Sequence, residues 1–365
     1  MRAKSVIPAV VVLSAAISWL SPVAYADERE RSSALRAGIV RAADHQLSLE
    51  GSYTNGDTGA GQYLCAWEWE VGSGVAYQNT QGASARGLVE AYKVTRQRAS
   101  VVGASCAAAQ VISRYDANPT GRRSFGDLLL LTDLSEATFD HTLAARARSY
   151  FEDIRAQFPT GAALADHDLA RLSLAGWDAA VQIEVALAVD QEDYARSLAL
   201  EVVARRADWE NLPLGGTDYT LLSQGALLEA LSELESRTIR HSRDELRRHL
   251  LQAQATDGSW ADGDFQTTAF VLRGLLASPD SREVHRARAG ALEFLLSRQT
   301  ADGGWSSPNL VENGEVNGEV LDALAAAIPH HDCEDDHDGD REFDEPRPGH
   351  WGHRPARPDD HHGDW

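Results

Sequence analysis

The sequence predicts an all-α protein, an α/α toroid of about six helix hairpins with inner and outer helix layers. Three observations predict it. A seven-residue motif is written twice, QATDGSW at 254–260 and QTADGGW at 299–305, with Gln, Asp, Gly and Trp at matching offsets. Each copy follows an amphipathic helical pattern (244–254 and 284–298) and precedes a pattern that is apolar nearly all round (264–276 and 315–328). The same alternation can be followed upstream with falling fidelity.

A helix that is apolar on every side must be buried on every side, so the second helix of each unit belongs to an inner layer and the first to an outer one. In chain order the outer helices are expected at 34–47, 100–113, 142–157, 194–206, 244–254 and 284–298. The inner ones are expected at 81–95, 125–134, 177–189, 219–234, 265–276 and 316–328. Six such pairs close into a ring because an inner helix has nothing to bury against except its two neighbours; an open solenoid is the alternative. Aligning Arg273-Gly274-Leu275 with Arg86-Gly87-Leu88 sets Ala269 opposite Gly82, with Gly225 and Gly318 at the same place in other units. Small residues there let crowded helices approach.

The repeated turn has a mechanical reading. Asp-Gly reverses the chain, the Trp packs back over the end of the outer helix, and the Gln offers hydrogen bonds to loose backbone groups. In the first unit a trace of it is expected at Gln46 and Glu50-Gly51-Ser52-Tyr53, with Tyr in place of Trp.

The segments QATDGSWADGDFQTTAFVLRGLL and QTADGGWSSPNLVENGEVNGEVLDALAAAI resemble the QW-type repeats of the squalene-hopene cyclase and protein prenyltransferase superfamily. The resemblance is specific over 244–328 and looser over 81–234, and it implies an α/α toroid. It does not carry chemistry with it. Cyclases of that superfamily use an Asp-x-Asp-Asp acid, which this chain lacks; Asp190-Gln191-Glu192-Asp193 and Asp332-Cys333-Glu334-Asp335-Asp336 only approximate it. The prenyltransferase zinc needs Asp, Cys and His, and neither Cys65 nor Cys106 has a partner at metal-ligand spacing. The inner helices carry Ala, Leu and Val rather than the aromatics that would line a polyisoprene pocket.

Outer-to-inner connections of a toroid all emerge at one end, the mouth. The longest of them, 48–78, is rich in Gly and aromatics and is the first choice for a ligand or partner surface. Trp67, Trp69, Tyr77, Asn79, Gln81, Gln266 and Asn317 are the expected substrate contacts, and Asp264, Asp218, Glu315 and His167 the expected catalytic groups. An acidic rim with interleaved aromatics suits neutral or cationic sugars, because rings stack on pyranose faces and carboxylates grip hydroxyls or exchange protons. Against this, carboxylates at inner-helix starts also serve as simple caps, Asp264 above all. His167 stands between Asp166 and Asp168, which would orient it.

A charge of -21 removes nucleic acid from consideration. Arg2 and Lys4, the apolar run 6–20 and Ala24-Tyr25-Ala26 read as a signal peptide over 1–26, giving an extracytoplasmic protein with no membrane span after cleavage. The toroid then occupies 27–328. Cys65 and Cys106 are one pairing among those open to three cysteines, with Cys333 left over.

From 329 to 365 the composition turns acidic, His-rich and poor in aliphatics, which predicts a disordered tail. Glu334, Asp336, Asp338, Asp340 and Glu345 follow the ligand order of a calcium loop, and the histidines would suit zinc; a plain solvated tail is the other reading. The toroid itself requires no cofactor. The leading function is binding, extended to hydrolysis, of an extracellular glycan or similar polymer at the mouth. A non-catalytic scaffold holding a protein partner comes second and an isoprenoid cyclase third. The glycan reading expects Trp67 and Trp69 to be exposed and two carboxylates to face each other across the mouth; the cyclase reading expects a deep apolar cavity with an acid at its top.

Overall fold

The computed structural model describes residues 22–121, 123–168, 172–306 and 311–328. In chain order it contains α1 (Pro22–Ser48), β1 (Gly51–Asn55), β2 (Gln62–Ala66), β3 (Val75–Ala76), α2 (Gln78–Thr95), α3 (Arg98–Ala117), α4 (Phe125–Thr138) and α5 (His141–Gln157). There follow α6 (Gly161–Asp168), α7 (Ala175–Ala188), α8 (Glu192–Ala204), α9 (Thr220–Ala230), α10 (Arg237–Ala253), α11 (Phe265–Leu276), α12 (Arg282–Arg298) and α13 (Gly314–Ala326). All twelve expected helices are present. The short α6 and the strands were not foreseen.

The inner layer runs α2, α4, α7, α9, α11, α13, and α13 packs back on α2 to close the ring. The open solenoid is therefore set aside. Closure is tight because the inner helices cross at glycines. A Cβ on Gly87 would lie 2.2 Å from the Gly318 carbonyl oxygen, and one on Gly274 would lie 2.4 Å from that of Gly225. Only a residue without a side chain fits at such a crossing.

The repeated motif explains how neighbouring units are joined. The indole N–H of Trp260 donates to the Leu250 carbonyl at 2.8 Å and that of Trp305 to Leu295 at 2.9 Å, so each Trp satisfies an orphan carbonyl at the end of its own outer helix. The Gln reaches further. The Gln254 amide donates both to Gly258 in its own turn and to Ala287 on the next outer helix, α12. Gln299 donates to Gly303 and to Gly38 on α1. The last unit thus bonds to the first as the fifth bonds to the sixth.

In the first unit this staple is not Tyr53, as expected from spacing, but Trp67. Its indole N–H donates to the Gln46 carbonyl at 2.7 Å, while the Gln46 side chain donates to Gly314. The β1–β2 hairpin is inserted between the two, which hides the motif in the sequence. Tyr53 instead donates its hydroxyl to the Leu49 carbonyl.

The connection 49–77 carries a sheet of order β2-β1-β3, with β1 antiparallel to β2 and parallel to β3. A disulfide joins Cys65 at the end of β2 to Cys106 on α3, with Cα atoms 5.7 Å apart. No helix among the described residues is long and apolar enough to cross a membrane.

Candidate functional site

Lumen-facing residues can be recognised from contacts that skip a helix. Helices α7 and α11 are separated by α9, yet Trp177 and Phe270 meet edge to face with ring centroids 6.1 Å apart, so both rings project into the lumen. Likewise α2 and α7 are separated by α4, yet Arg86 and Glu184 come to 4.0 Å. Trp177 and Glu184 lie seven residues apart on α7, as do Gln266 and Arg273 on α11 and Glu315 and Asp322 on α13. Each pair marks one helix face, two turns long.

Two layers result. Deeper in, Arg86 bonds Asp133 at 2.7 Å, and Arg273 bonds Glu229 and Asp322, both at 2.6 Å. These side chains are only 6–23% exposed. Burial, reinforced by Glu229, pushes Glu184 up to about 7; burial also raises Glu229. Beyond the layer, burial, with Asp322 and Asp133 adding to it, pushes Glu90 up to about 7.

Nearer the mouth lie Trp177, Phe270, Gln266, Glu315 and Glu319. Gln266 donates to Glu319 Oε2 at 2.8 Å, bridging α11 to α13. The other carboxylate oxygen of Glu319 is buried without a partner, as is the indole nitrogen of Trp177. Glu315, one helical turn before Glu319, is 3% exposed, and burial pushes its carboxyl up to about 7. Burial and then the charge of Glu315 raise Glu319 well above the ordinary carboxyl range. Two acids in that relation do not both ionise readily.

The expected site residues divide sharply. Glu315 and Gln266 are in the lumen. Asp264 caps α11, accepting from the Thr267 amide at 2.7 Å, and Asp218 accepts from the amide and hydroxyl of Thr220. Both carboxylates are engaged in ending loops and starting helices. His167 is exposed on α6, against the Phe158 ring at 4.6 Å.

Gln81 is buried and fully occupied: it donates to the Leu64 and Cys65 carbonyls and accepts from Arg114. Asn317 is buried too, accepting from the Trp305 amide and donating to Glu312. Trp67 is completely buried, which corrects the expectation that it is exposed; it fills the staple position described above. Trp69 is 38% exposed and meets Tyr77 edge to face at 6.1 Å, with exposed Asn79 beginning α2 beside them. The loop bearing Trp69 lies against the start of α13, where the Gly314 amide donates to the Glu68 carbonyl and Glu70 pairs with Asn313. Glu334, Asp336, Asp338, Asp340 and Glu345 lie outside the described residues.

Sequence reasoning missed Glu319, Trp177 and the entire charged layer. A signal for the layer existed, since Arg86 and Arg273 occupy the same place before a helix-crossing glycine in two aligned inner helices.

An all-α ring of inner and outer helices around a polar, partly aromatic centre defines an α/α toroid. Solved structures share this fold. A variant of the type II terpene cyclase MstE from Scytonema, in complex with geranylgeranyl dihydroxybenzoate, matches 82% of this chain and 98% of its own at 17% identity, with a TM-score of 0.58. An unsaturated glucuronyl hydrolase specific for heparin matches 81% of this chain and 97% of its own at 10% identity, TM-score 0.55. A possible member of the GH105 family from Salmonella enterica matches 81% and 93% at 12% identity, TM-score 0.54. No family model matches the chain, and no match is found among curated proteins. These likenesses show the toroid.

Proposed function

We propose that the protein binds a glycan, or an extracellular polymer of similar hydroxyl-rich chemistry, in the mouth half of the lumen, with Glu315 as the proton donor of the site. The observation that carries this reading is the pair Glu315 and Glu319, two buried carboxyls one turn apart, with Glu319 held by Gln266, one turn before Phe270 of the Trp177–Phe270 pair. Aromatic faces beside carboxyl and carboxamide groups suit a pyranose ring. A carboxyl that titrates near neutrality is poised to give up its proton there. Exposed Trp69, with Tyr77 and Asn79, extends the surface outward over the start of α13. An isoprenoid would require an apolar lumen, whereas this one is crossed by Arg86, Arg273 and their carboxylates. The disulfide supports an oxidising, extracytoplasmic compartment, in keeping with the N-terminal leader pattern.

The second reading, a toroid that holds a protein partner, draws on the burial of Trp67 and on the charged layer that occupies the deeper lumen. Titrating the full chain with neutral, cationic and anionic oligosaccharides, following tryptophan fluorescence and the release of new reducing ends, separates the two. Binding that Trp177→Ala weakens at least tenfold supports the glycan site, and turnover that Glu315→Gln abolishes supports its proton donor. A folded protein that ignores every oligosaccharide returns the lead to the scaffold.

A further inference from the structure

We infer that the sugar taken into the mouth half of the lumen is cationic, an amino sugar whose free amine is protonated. This rests on the glycan reading and narrows it. The two arginines of the charged layer are already engaged, Arg86 with Asp133 and Arg273 with Glu229 and Asp322, and Lys93, further along α2, pairs with Glu90 at 2.8 Å and Glu136 at 3.0 Å. Among the described residues none forms an ion pair with Glu315 or Glu319. Glu319 is 7% exposed, with one oxygen held by Gln266 and the other without a partner.

A buried carboxylate oxygen with no donor is costly to leave so, and the group that would satisfy it is a donor brought by the ligand. Gln266, which holds the other oxygen, lies one turn before Phe270 on α11, and the face of Phe270 or of its partner ring Trp177 attracts a cation. An ammonium answers both features together, as a donor to the carboxylates and a charge for the rings. A uronate offers no cation to the ring faces and no N–H to the unpartnered carboxyl oxygen.

Because burial holds both carboxyls toward the neutral form, seating an ammonium beside them pulls a carboxyl into its charged form and releases its proton to solvent. The inference therefore has a readout that needs no variant. Calorimetry of the full chain with a glucosamine tetramer is compared with its N-acetylated counterpart, each in two buffers of different ionisation enthalpy. The amine form is expected to bind at least tenfold more tightly and to release a proton. Glu319→Gln, an isosteric change, is expected to abolish the tenfold preference and the proton release together. Equal binding of the two tetramers with no proton release would overturn the cationic assignment and leave the glycan site standing. Failure of both tetramers, and of every other oligosaccharide in the panel above, would remove the glycan site itself.

Discussion

His45, on the first helix, hydrogen-bonds through Nε2 to the Glu312 carboxylate in the last connection of the ring. Asp302 of the second motif copy stands 3.8 Å from the other ring nitrogen, and Glu312 is held in turn by Asn317. Residues from the two ends of the toroid thus share one small polar cluster. The hydrogen bond to Glu312, and then the charges of Glu312 and Asp302, raise the His45 pKa above its ordinary value of 6.5 despite its burial. A raised histidine stabilises the fold fully below its unfolded pKa and loses that contribution as pH climbs through the folded one. His45→Gln is expected to lower stability at pH 6 by about 1–3 kcal/mol, and by less at pH 9, in denaturant titrations at the two pH values.

Glu90, Glu184 and Glu315 titrate near 7 in the folded protein against 4.5 unfolded, chiefly through burial. Their neutral forms favour folding, so stability is greatest below pH 4.5 for these groups and falls as pH rises to about 7 and beyond. The melting temperature should be higher at pH 5 than at pH 8. Glu315→Gln should flatten that slope and raise the melting temperature at pH 8; an unaltered slope would mean that its carboxyl is not desolvated.

Trp67 and Trp69 are two residues apart and should behave oppositely. Trp67→Ala empties a fully buried site and orphans the Gln46 carbonyl, at a cost of about 3–5 kcal/mol in chemical denaturation. Trp69→Ala should leave stability within ~1 kcal/mol and show its effect in ligand titrations alone.

Gly87→Ala pushes a methyl group into the Gly318 backbone at the crossing of α2 and α13. Relief requires the two helices to part, so a loss of about 1–3 kcal/mol or more is expected. Hydrogen exchange should locate the new opening in α2 and α13 before other inner helices.

Much of this architecture was legible because burial writes itself into composition. Helices apolar all round declared the inner layer, and Gln254 and Gln299 marked the turns by recurring at one offset from Trp260 and Trp305. The site was far less legible. Polar residues at helix starts attracted Asp264, Asp218, Gln81 and Asn317 into the expected site, yet each satisfies backbone or neighbouring side chains in the fold. A cap and a ligand contact use the same residue types, and spacing along one helix does not distinguish them. The lumen, by contrast, is assembled from one to three residues per helix on six helices. Only closure of the ring brings Trp177 to Phe270 or Arg86 to Glu184, and no local pattern reports it.

The bond from Gln299 to Gly38 has the same geometry as that from Gln254 to Ala287, so the first and last hairpins are neighbours like any others. In an open array the end units have one flank each and fray. Here every hairpin is flanked twice, and none can peel away without two interfaces breaking at once. Unfolding of this chain should accordingly be a single all-or-none event, with no intermediate that has shed a terminal unit.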